Sequence, residues 1–191
     1  MNKPTIQQIH LMSGLPGSGK THYLDKCIGE DVFNRILHRD DVRAQLREHY
    51  NKPDEYFPCS EKEEYDAWIM ACVSVMIAHP NAHHYWFDQT TLGNGAVAKF
   101  YNALAIALDN IGIDITDYQF IVEIMDTDYD LCVARNAKRE GFARVPENIL
   151  EHMAASSRPD FRMRQKLRAP HPMNTMHLCI HTIIEDEREM V

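Results

Sequence analysis

The sequence predicts an α/β fold in which a parallel sheet is covered by helices on both faces. Two observations predict it. Short, nearly continuous apolar runs alternate with helical stretches along the chain, and the first apolar run ends in a glycine-rich turn. Such apolar runs are typical of strands that are buried on both faces and joined by helices. Ligands of these sheets bind at the carboxyl ends of the strands, so functional residues are expected directly after each strand.

The first half of the chain gives three strands and three helices. The strands are predicted at residues 6–13, 35–38 and 84–88, and the helices at 20–28, 41–49 and 61–79. Pro80 ends the third helix because proline cannot continue a helical ladder. Residues 51–60 carry two prolines and two aromatic residues, which favours a loop.

The second half continues the alternation. Strands are predicted at residues 117–126 and 175–183, and helices at 94–110 and 128–140. Gly112 fits the C-terminal cap of the helix before it. Pro146 begins a further helix, since proline is tolerated in a first turn. Residues 158–172 give no clear pattern.

Length and composition narrow the classes of protein. A chain of 191 residues, 45% hydrophobic and 25% charged, predicts one globular domain over residues 1–191. The longest nearly apolar run, residues 68–78, is shorter than the roughly 20 residues of a membrane span, so no membrane partner is expected. The odd number of cysteines, five, and the lack of any C-x-x-C pair favour a reducing cytoplasm over a disulfide framework.

The charge is unevenly distributed. The chain has a net charge of −8, yet residues 135–168 hold nine lysines and arginines against four acids. This predicts one local anion site on an acidic body, with residues 135–168 as a basic lid and acceptor-side segment. The alternative is a solvated helical face.

The first strand is followed by a glycine-rich motif with the pattern G-x-x-x-x-G-K-[ST], residues 14–21. Its candidate nucleotide-binding residues are Gly14, Gly17, Ser18, Gly19, Lys20 and Thr21. The glycines let backbone N–H groups surround a phosphate, and the following helix presents its positive end to the anion. Lys20 is expected exposed in the loop mouth, reaching the β- and γ-phosphates of ATP. The Thr21 hydroxyl is a candidate Mg²⁺ ligand.

Acidic and basic residues follow the second strand. Asp40 lies where a strand gives way to a helix. It is a candidate general base for a hydroxyl acceptor, and the alternative is a helix N-cap. Arg43, three residues on, lies on the same side of the helical turn and is a candidate ligand for an acceptor phosphate.

Asp88 ends the third strand. It is a candidate for the Mg²⁺ shell or for holding an active-site arginine, and the alternative is a simple turn residue. Arg135 and Arg139 are four residues apart, which predicts one helix face and a lid that clamps polyphosphate. The alternative is ordinary surface arginines.

These motifs resemble the P-loop kinases of the bacteriophage polynucleotide 5′-kinase type. The resemblance rests on G-L-P-G-S-G-K-T at 14–21, R-D-D-V-R at 39–43, F-D-Q-T at 87–90 and R-N-A-K-R at 135–139 followed by V-P at 145–146. It covers about residues 6–155. It implies a P-loop NTPase three-layer sandwich with a five-stranded parallel sheet in the order 2-3-1-4-5 and a helical lid.

The resemblance also implies an activity. Lys20 and Thr21 would hold the phosphates of ATP and Mg²⁺, Asp40 would be the general base, and Arg43 would bind the phosphate beside the acceptor hydroxyl. Asp88 would orient acceptor-site groups. Arg139, with Arg135, would neutralise the donor phosphates. The enzyme would lack the phosphatase domain of the family's best-known member and would act in the cytoplasm, that of the host if it is phage-encoded.

The expected acceptor is a nucleic acid, DNA or RNA, with a 5′-OH end as the favoured group. Residues 89–95 lack the arginines expected there, so other acceptors stay open. One is a hydroxymethyl group on a modified pyrimidine such as hydroxymethyluracil in phage DNA. Another is a nucleoside or other small molecule. A non-catalytic nucleotide-binding module is the alternative from another class. The sequence leaves a homo-oligomer open.

Overall fold

The structure is a computed structural model that describes residues 6–55, 58–156, 158–160 and 176–182. Its centre is a sheet of five parallel strands: β1 (Gln8–Ser13), β2 (Asn34–His38), β3 (His84–Asp88), β4 (Gln119–Asp126) and β5 (Met176–Thr182). The strands lie in the order β2-β3-β1-β4-β5. This confirms the predicted fold class and the predicted strand order.

The helices lie between the strands along the chain, as predicted. They are α1 (Lys20–His22), α2 (Arg39–His49), α3 (Glu61–Ala78), α4 (Gly93–Asp109), α5 (Tyr129–Ala137) and α6 (Glu147–Ala154). Short 3₁₀ turns occupy Ile115–Asp117 and Gly141–Ala143. Ser60 caps α3 with a capping box to Glu63, which fixes where that helix begins.

Two helices differ from their predictions. The first is α-helical only over α1 and continues as a π-helix (Tyr23–Ile28), where the Gly29 N–H donates to the carbonyl of Leu24, five residues back. The second is α5, which ends at Ala137 rather than at residue 140. The Asn136 side chain bonds the backbone of Val145 in both directions, and this contact turns the chain out of the helix.

One face of the sheet packs against α3 and α4 and forms the larger core. Trp68 and Cys72 of α3, Phe100 of α4, and Leu11 and Phe87 of the strands are fully buried there. This core holds the central strands in place, so the carboxyl ends of β1, β2 and β3 meet at one edge.

The apolar strands predicted two apolar faces for the sheet, but its other face carries several polar side chains. Among the described residues, the buried apolar cluster there is small and consists of Met12, Leu24, Trp86 and Met125. Beside it the buried Glu123 carboxylate pairs with His10 Nδ1 and His181 Nε2, each at 2.6 Å. Burial alone would raise the pKa of Glu123, but the hydrogen bonds to these two imidazoles hold it below its usual value.

The structure bears on the predictions for the cysteines and for membrane-spanning helices. All five cysteines are free thiols. Within the described residues, no helix combines the length and the apolar character that crossing a membrane requires.

Candidate active site

The glycine-rich loop lies between β1 and α1, as predicted, and it is tightly folded. Gly17 has a φ of 85°, and a Cβ there would lie 2.6 Å from the Cys132 carbonyl oxygen on α5. A Cβ at Gly14 would lie 2.7 Å from Ser18 Oγ. Ser18 Oγ itself is buried and finds no hydrogen-bond partner within the described ranges. The loop is therefore a cradle that side chains would fill, with one unsatisfied hydroxyl inside it.

Lys20 lies inside this cradle. The expectation that it is exposed is wrong, because only 8% of the residue is accessible. Its Nζ donates to the carbonyl oxygens of Gly14 at 3.0 Å and Leu15 at 2.9 Å. Burial lowers the pKa of Lys20, while the charges of Asp88 and Asp40 act in the opposite direction. These two carboxylates thus lie within electrostatic reach of the ammonium.

Asp88 joins the loop to β2. Its Oδ2 accepts a hydrogen bond from Thr21 Oγ1 at 2.8 Å and pairs with His38 Nδ1 at 2.9 Å. Burial would raise the pKa of Asp88, but the hydrogen bond from His38, the charge of Lys20 and the Thr21 hydroxyl hold it below its usual value. A threonine hydroxyl and an ionised carboxylate side by side are oxygen donors of the kind that suits Mg²⁺.

Asp40 and Arg43 lie in the first turns of α2. The N-cap of this helix is His38, so the alternative that Asp40 is the N-cap is wrong. The Asp40 side chain is 80% exposed, and its Oδ1 accepts a hydrogen bond from Arg43 Nη1 at 2.7 Å. The carboxylate is therefore open to solvent, and a guanidinium orients it.

Glu64 is the main site residue that the sequence analysis missed. Glu64 lies in α3, and its side chain is 1% exposed. Its carboxylate accepts hydrogen bonds from Arg39 Nε at 2.9 Å and from Arg39 Nη2. Glu64 Oε1 also accepts from Arg43 Nε at 2.9 Å. The signal in the sequence was its position. Glu64 precedes Trp68 and Cys72 at helical spacing, so it lies on the face of α3 that is buried.

Gln89 and His38 are two further residues that the sequence analysis missed. Gln89 is buried after β3 and accepts a hydrogen bond from Arg39 Nη1 at 3.2 Å. His38 Nε2 lies 3.2 Å from Asp25 Oδ1, so the imidazole connects two carboxylates. Gln89 lies in the F-D-Q-T motif without a role assigned to it, His38 lies in no motif, and only the packing of β2 against β3 shows what these side chains contact.

The arginines of the predicted lid divide between two elements. Arg135 is on α5, with Nη1 3.5 Å from the Gly17 carbonyl oxygen. Arg139 lies beyond the end of α5, so the prediction of one shared helix face is wrong, and its Nη1 donates to the Ala143 carbonyl at 3.3 Å. The charge of Arg139 still acts on Lys20 and lowers its pKa, after the larger effect of burial. Arg135 therefore contacts the glycine-rich loop, and the charge of Arg139 acts on Lys20 within it.

The rest of the basic segment is described only in part. Phe142, in the turn after Arg139, packs under the Arg47 guanidinium of α2 at 4.8 Å from the ring centroid. Arg158 forms a two-pronged ion pair with Asp126 at the end of β4, with distances of 2.6 and 2.7 Å. Residues 157 and 161–168 of the predicted lid lie outside the described residues.

A family described as an AAA domain matches residues 9–159, which is most of the chain. A search of curated proteins gives no match.

Several solved structures share the fold. An unliganded sugar kinase from Janibacter sp. HTCC2649 aligns with a TM-score of 0.53 and 15% identity, over 92% of this chain and 85% of that one. A chain of the Pnkp1/Rnl/Hen1 RNA repair complex aligns with a TM-score of 0.53 and 18% identity, over 80% of this chain and 44% of that one. A putative kinase from Chloroflexus aurantiacus has a TM-score of 0.52 and 12% identity, over 94% and 87%. These likenesses show a P-loop kinase-like fold.

Proposed function

We propose that this chain transfers the γ-phosphate of ATP to a hydroxyl group, because the chain belongs to the AAA-domain family and has the fold of P-loop kinases. One observation carries the proposal. The glycine-rich loop, the Thr21–Asp88 pair and the Asp40–Arg43 pair follow the carboxyl ends of three neighbouring strands, and the charges of both carboxylates act on Lys20. The kinase interpretation gives Asp40 a role as a base beside the γ-phosphate, which a protein that only binds nucleotide does not need.

The donor side fits ATP and Mg²⁺. The unsatisfied Ser18 hydroxyl and the glycine cradle suit phosphate oxygens. Thr21 and Asp88 would hold Mg²⁺, directly or through water. Bound Mg²⁺ would offset the negative charge that develops on the donor phosphates.

The side chains of this chain supply the remaining steps. Lys20 would bind the β- and γ-phosphates. The planar guanidinium groups of Arg135 and Arg139 would donate hydrogen bonds to the oxygens of the transferring phosphoryl group. Asp40 would accept the proton of the acceptor hydroxyl while that oxygen bonds to the γ-phosphorus and the bond from phosphorus to the ADP oxygen breaks. Arg43 would hold the acceptor phosphate and orient the Asp40 carboxylate. The site would work within one domain of residues 1–191, with residues 135–168 as its lid.

For the acceptor, we propose a nucleic acid with a 5′-OH end. The support is the Arg43 guanidinium beside the proposed base, where the phosphate next to a terminal hydroxyl would lie. The likeness to a chain of an RNA repair complex agrees with this choice in fold alone.

A second acceptor class is a small molecule or a hydroxymethyl group on a modified base. The observation that favours it is the charge balance around Arg39 and Arg43. Arg39 and Arg43 are paired with the Glu64 and Asp40 carboxylates, so the two cations are already neutralised by two anions. A neutral small molecule, or a base hydroxymethyl group that needs no phosphate beside Arg43, would suit such a surface better than a 5′-OH end whose adjacent phosphate must bind there.

The test is transfer of label from γ-labelled ATP to a panel of acceptors: 5′-OH DNA, 5′-OH RNA, hydroxymethyluracil DNA and free nucleosides. We expect Mg²⁺-dependent labelling of a 5′-OH end by the wild-type protein and none by Lys20→Ala. Labelling of hydroxymethyluracil DNA or a nucleoside alone would transfer the proposal to the second acceptor class. ATP binding without labelling of any acceptor would refute the kinase function.

A further inference from the structure

We propose that Glu64 is a positioning residue that orients Arg39 and Arg43 and, through Arg43, the proposed general base Asp40. The inference rests on the proposed function and deepens it, since Glu64 belongs to none of the motifs that predict the site. Glu64 lies on α3, whereas the groups it would position lie on α2.

The first support is the way in which Glu64 uses both of its carboxylate oxygens. Oε1 accepts from the Nε atoms of Arg39 and Arg43, both at 2.9 Å, and Oε2 accepts from Arg39 Nη2. At 1% exposure the carboxylate has little access to water, so the two guanidiniums supply its solvation. A buried acid with this set of partners ties α2 to α3 at the edge of the site.

The second support is the orientation of Arg43. Its Nε is bound by Glu64 and its Nη1 by Asp40, so acids on two different helices fix two of its three nitrogens. Because a guanidinium is planar, these two bonds set the plane of the whole group. An acceptor phosphate would then meet a fork of defined direction.

The third support is the continuity from Glu64 to Asp40. Arg43 bonds both acids, so a shift of its guanidinium moves the partner of the proposed base. Arg39 is held in addition by Gln89 and lies over the Tyr65 ring at 5.3 Å. Without the Glu64 charge, Arg39 and Arg43 would repel each other across the space that the carboxylate now occupies.

A purely structural role for Glu64 makes a different prediction. If Glu64 only completed the contact between α2 and α3, its loss would lower stability and impair ATP and acceptor use alike. A positioning role impairs the acceptor side and leaves the donor side unchanged, because no hydrogen bond or ion pair joins Glu64 to residues 14–21 in the part of the chain that the structure describes.

The experiment compares the full-length wild type with Glu64→Gln and Glu63→Gln. Glu63 is the neighbouring acid, and glutamine can replace it in the capping box of α3, so this variant controls for the loss of a charge on the same turn. For each protein we measure kcat, the KM for ATP and the KM for a 5′-OH oligonucleotide. We also measure binding of a 3′-fluorescein-labelled 5′-OH oligonucleotide by fluorescence anisotropy without ATP.

We expect Glu64→Gln to lose about 10²-fold in kcat/KM for the acceptor, the usual effect of misplacing a positioned group. Oligonucleotide binding should weaken, and the KM for ATP should stay within about twofold of wild type. Glu63→Gln should match the wild type. If Glu64→Gln does not fold, Glu64→Asp keeps the charge with a shorter reach, and it should raise the acceptor KM while leaving the KM for ATP unchanged.

Three results would overturn the inference. One is unchanged acceptor kinetics in Glu64→Gln. Another is tighter oligonucleotide binding by Glu64→Gln, which would mean that Glu64 neutralises the charges of Arg39 and Arg43 rather than orients their guanidinium groups. The third is an equal loss toward ATP and acceptor. If the wild type labels no acceptor, the proposed function fails by itself, and the anisotropy comparison still decides the role of Glu64.

Discussion

Asp40→Asn gives the sharpest test of the proposed chemistry, because it separates a base from a structural acid. Asparagine keeps the shape of the side chain and can still accept the hydrogen bond from Arg43, but it cannot take a proton from a hydroxyl. We therefore expect kcat to fall by about 10²–10⁴-fold, the usual contribution of a general base.

The structure also limits what this substitution does to stability. Asp40 is 80% exposed, and His38 rather than Asp40 is the N-cap of α2. Its remaining structural contributions are an interaction with the positive end of the helix, about 0.3–1 kcal/mol, and an exposed ion pair worth about 0–1 kcal/mol. The free energy of unfolding should therefore change by about 1 kcal/mol.

Asp41→Asn is the matched control. Asp41 is the next residue, is also exposed and is also an acid of the first turn, so its loss has the same effect on helix charge. The assays are kcat with the best acceptor, the dissociation constant for ATP, and urea unfolding of both variants. The base assignment is refuted if Asp40→Asn keeps more than about a tenth of wild-type kcat, or if Asp41→Asn is impaired to the same extent.

Three further predictions concern the donor side and the sheet. Lys20→Ala should reduce turnover to below about a tenth of wild type while circular dichroism stays native, and any higher turnover contradicts the P-loop assignment. Arg139→Lys keeps the charge but loses the planar guanidinium, so its kcat should fall towards the roughly 10³–10⁵-fold loss typical of a catalytic arginine. Arg158 is exposed, and Arg158→Ala should reduce kcat only slightly. Equal losses of kcat in both variants would indicate a diffuse anion patch. Glu123→Gln should cost about 1.5–3 kcal/mol near neutral pH. Because the pKa of Glu123 is lowered in the fold, its contribution is present above the usual glutamate pKa and is lost as the pH falls through the folded value, so urea unfolding should show that acid slope in wild type and lose it in the variant.

The parts of the site that lie close together in the chain were predictable from the sequence. The loop of residues 14–21 carries its own geometry, since glycine spacing, the lysine and the following helix are all local. Asp88 was also predictable, because parallel strands bring their carboxyl ends to one edge. The strand order followed from a resemblance carried by a few short motifs.

The parts that depend on packing between distant elements were not predictable. Glu64 reads as one more acid in an acidic stretch until α3 is laid against α2. The end of α5 depends on a side-chain contact between Asn136 and Val145, which helix periodicity does not contain. The polar face of the sheet was missed because Glu123 alternates with apolar neighbours, and its histidine partners come from other strands.

The two hydrogen bonds between Asn136 and Val145 close residues 136–145 into a ring with a fixed circumference. Arg139 and Phe142 lie on this ring, and Asn136 anchors it to α5, which packs against the glycine-rich loop at Gly17. The number of residues in the ring therefore fixes how far Arg139 lies from α5 and from the glycine-rich loop. One residue added or removed inside it would change the distance that Arg139 can reach, whereas an insertion after α6 would not. We expect length variation among related chains to be concentrated outside residues 136–145.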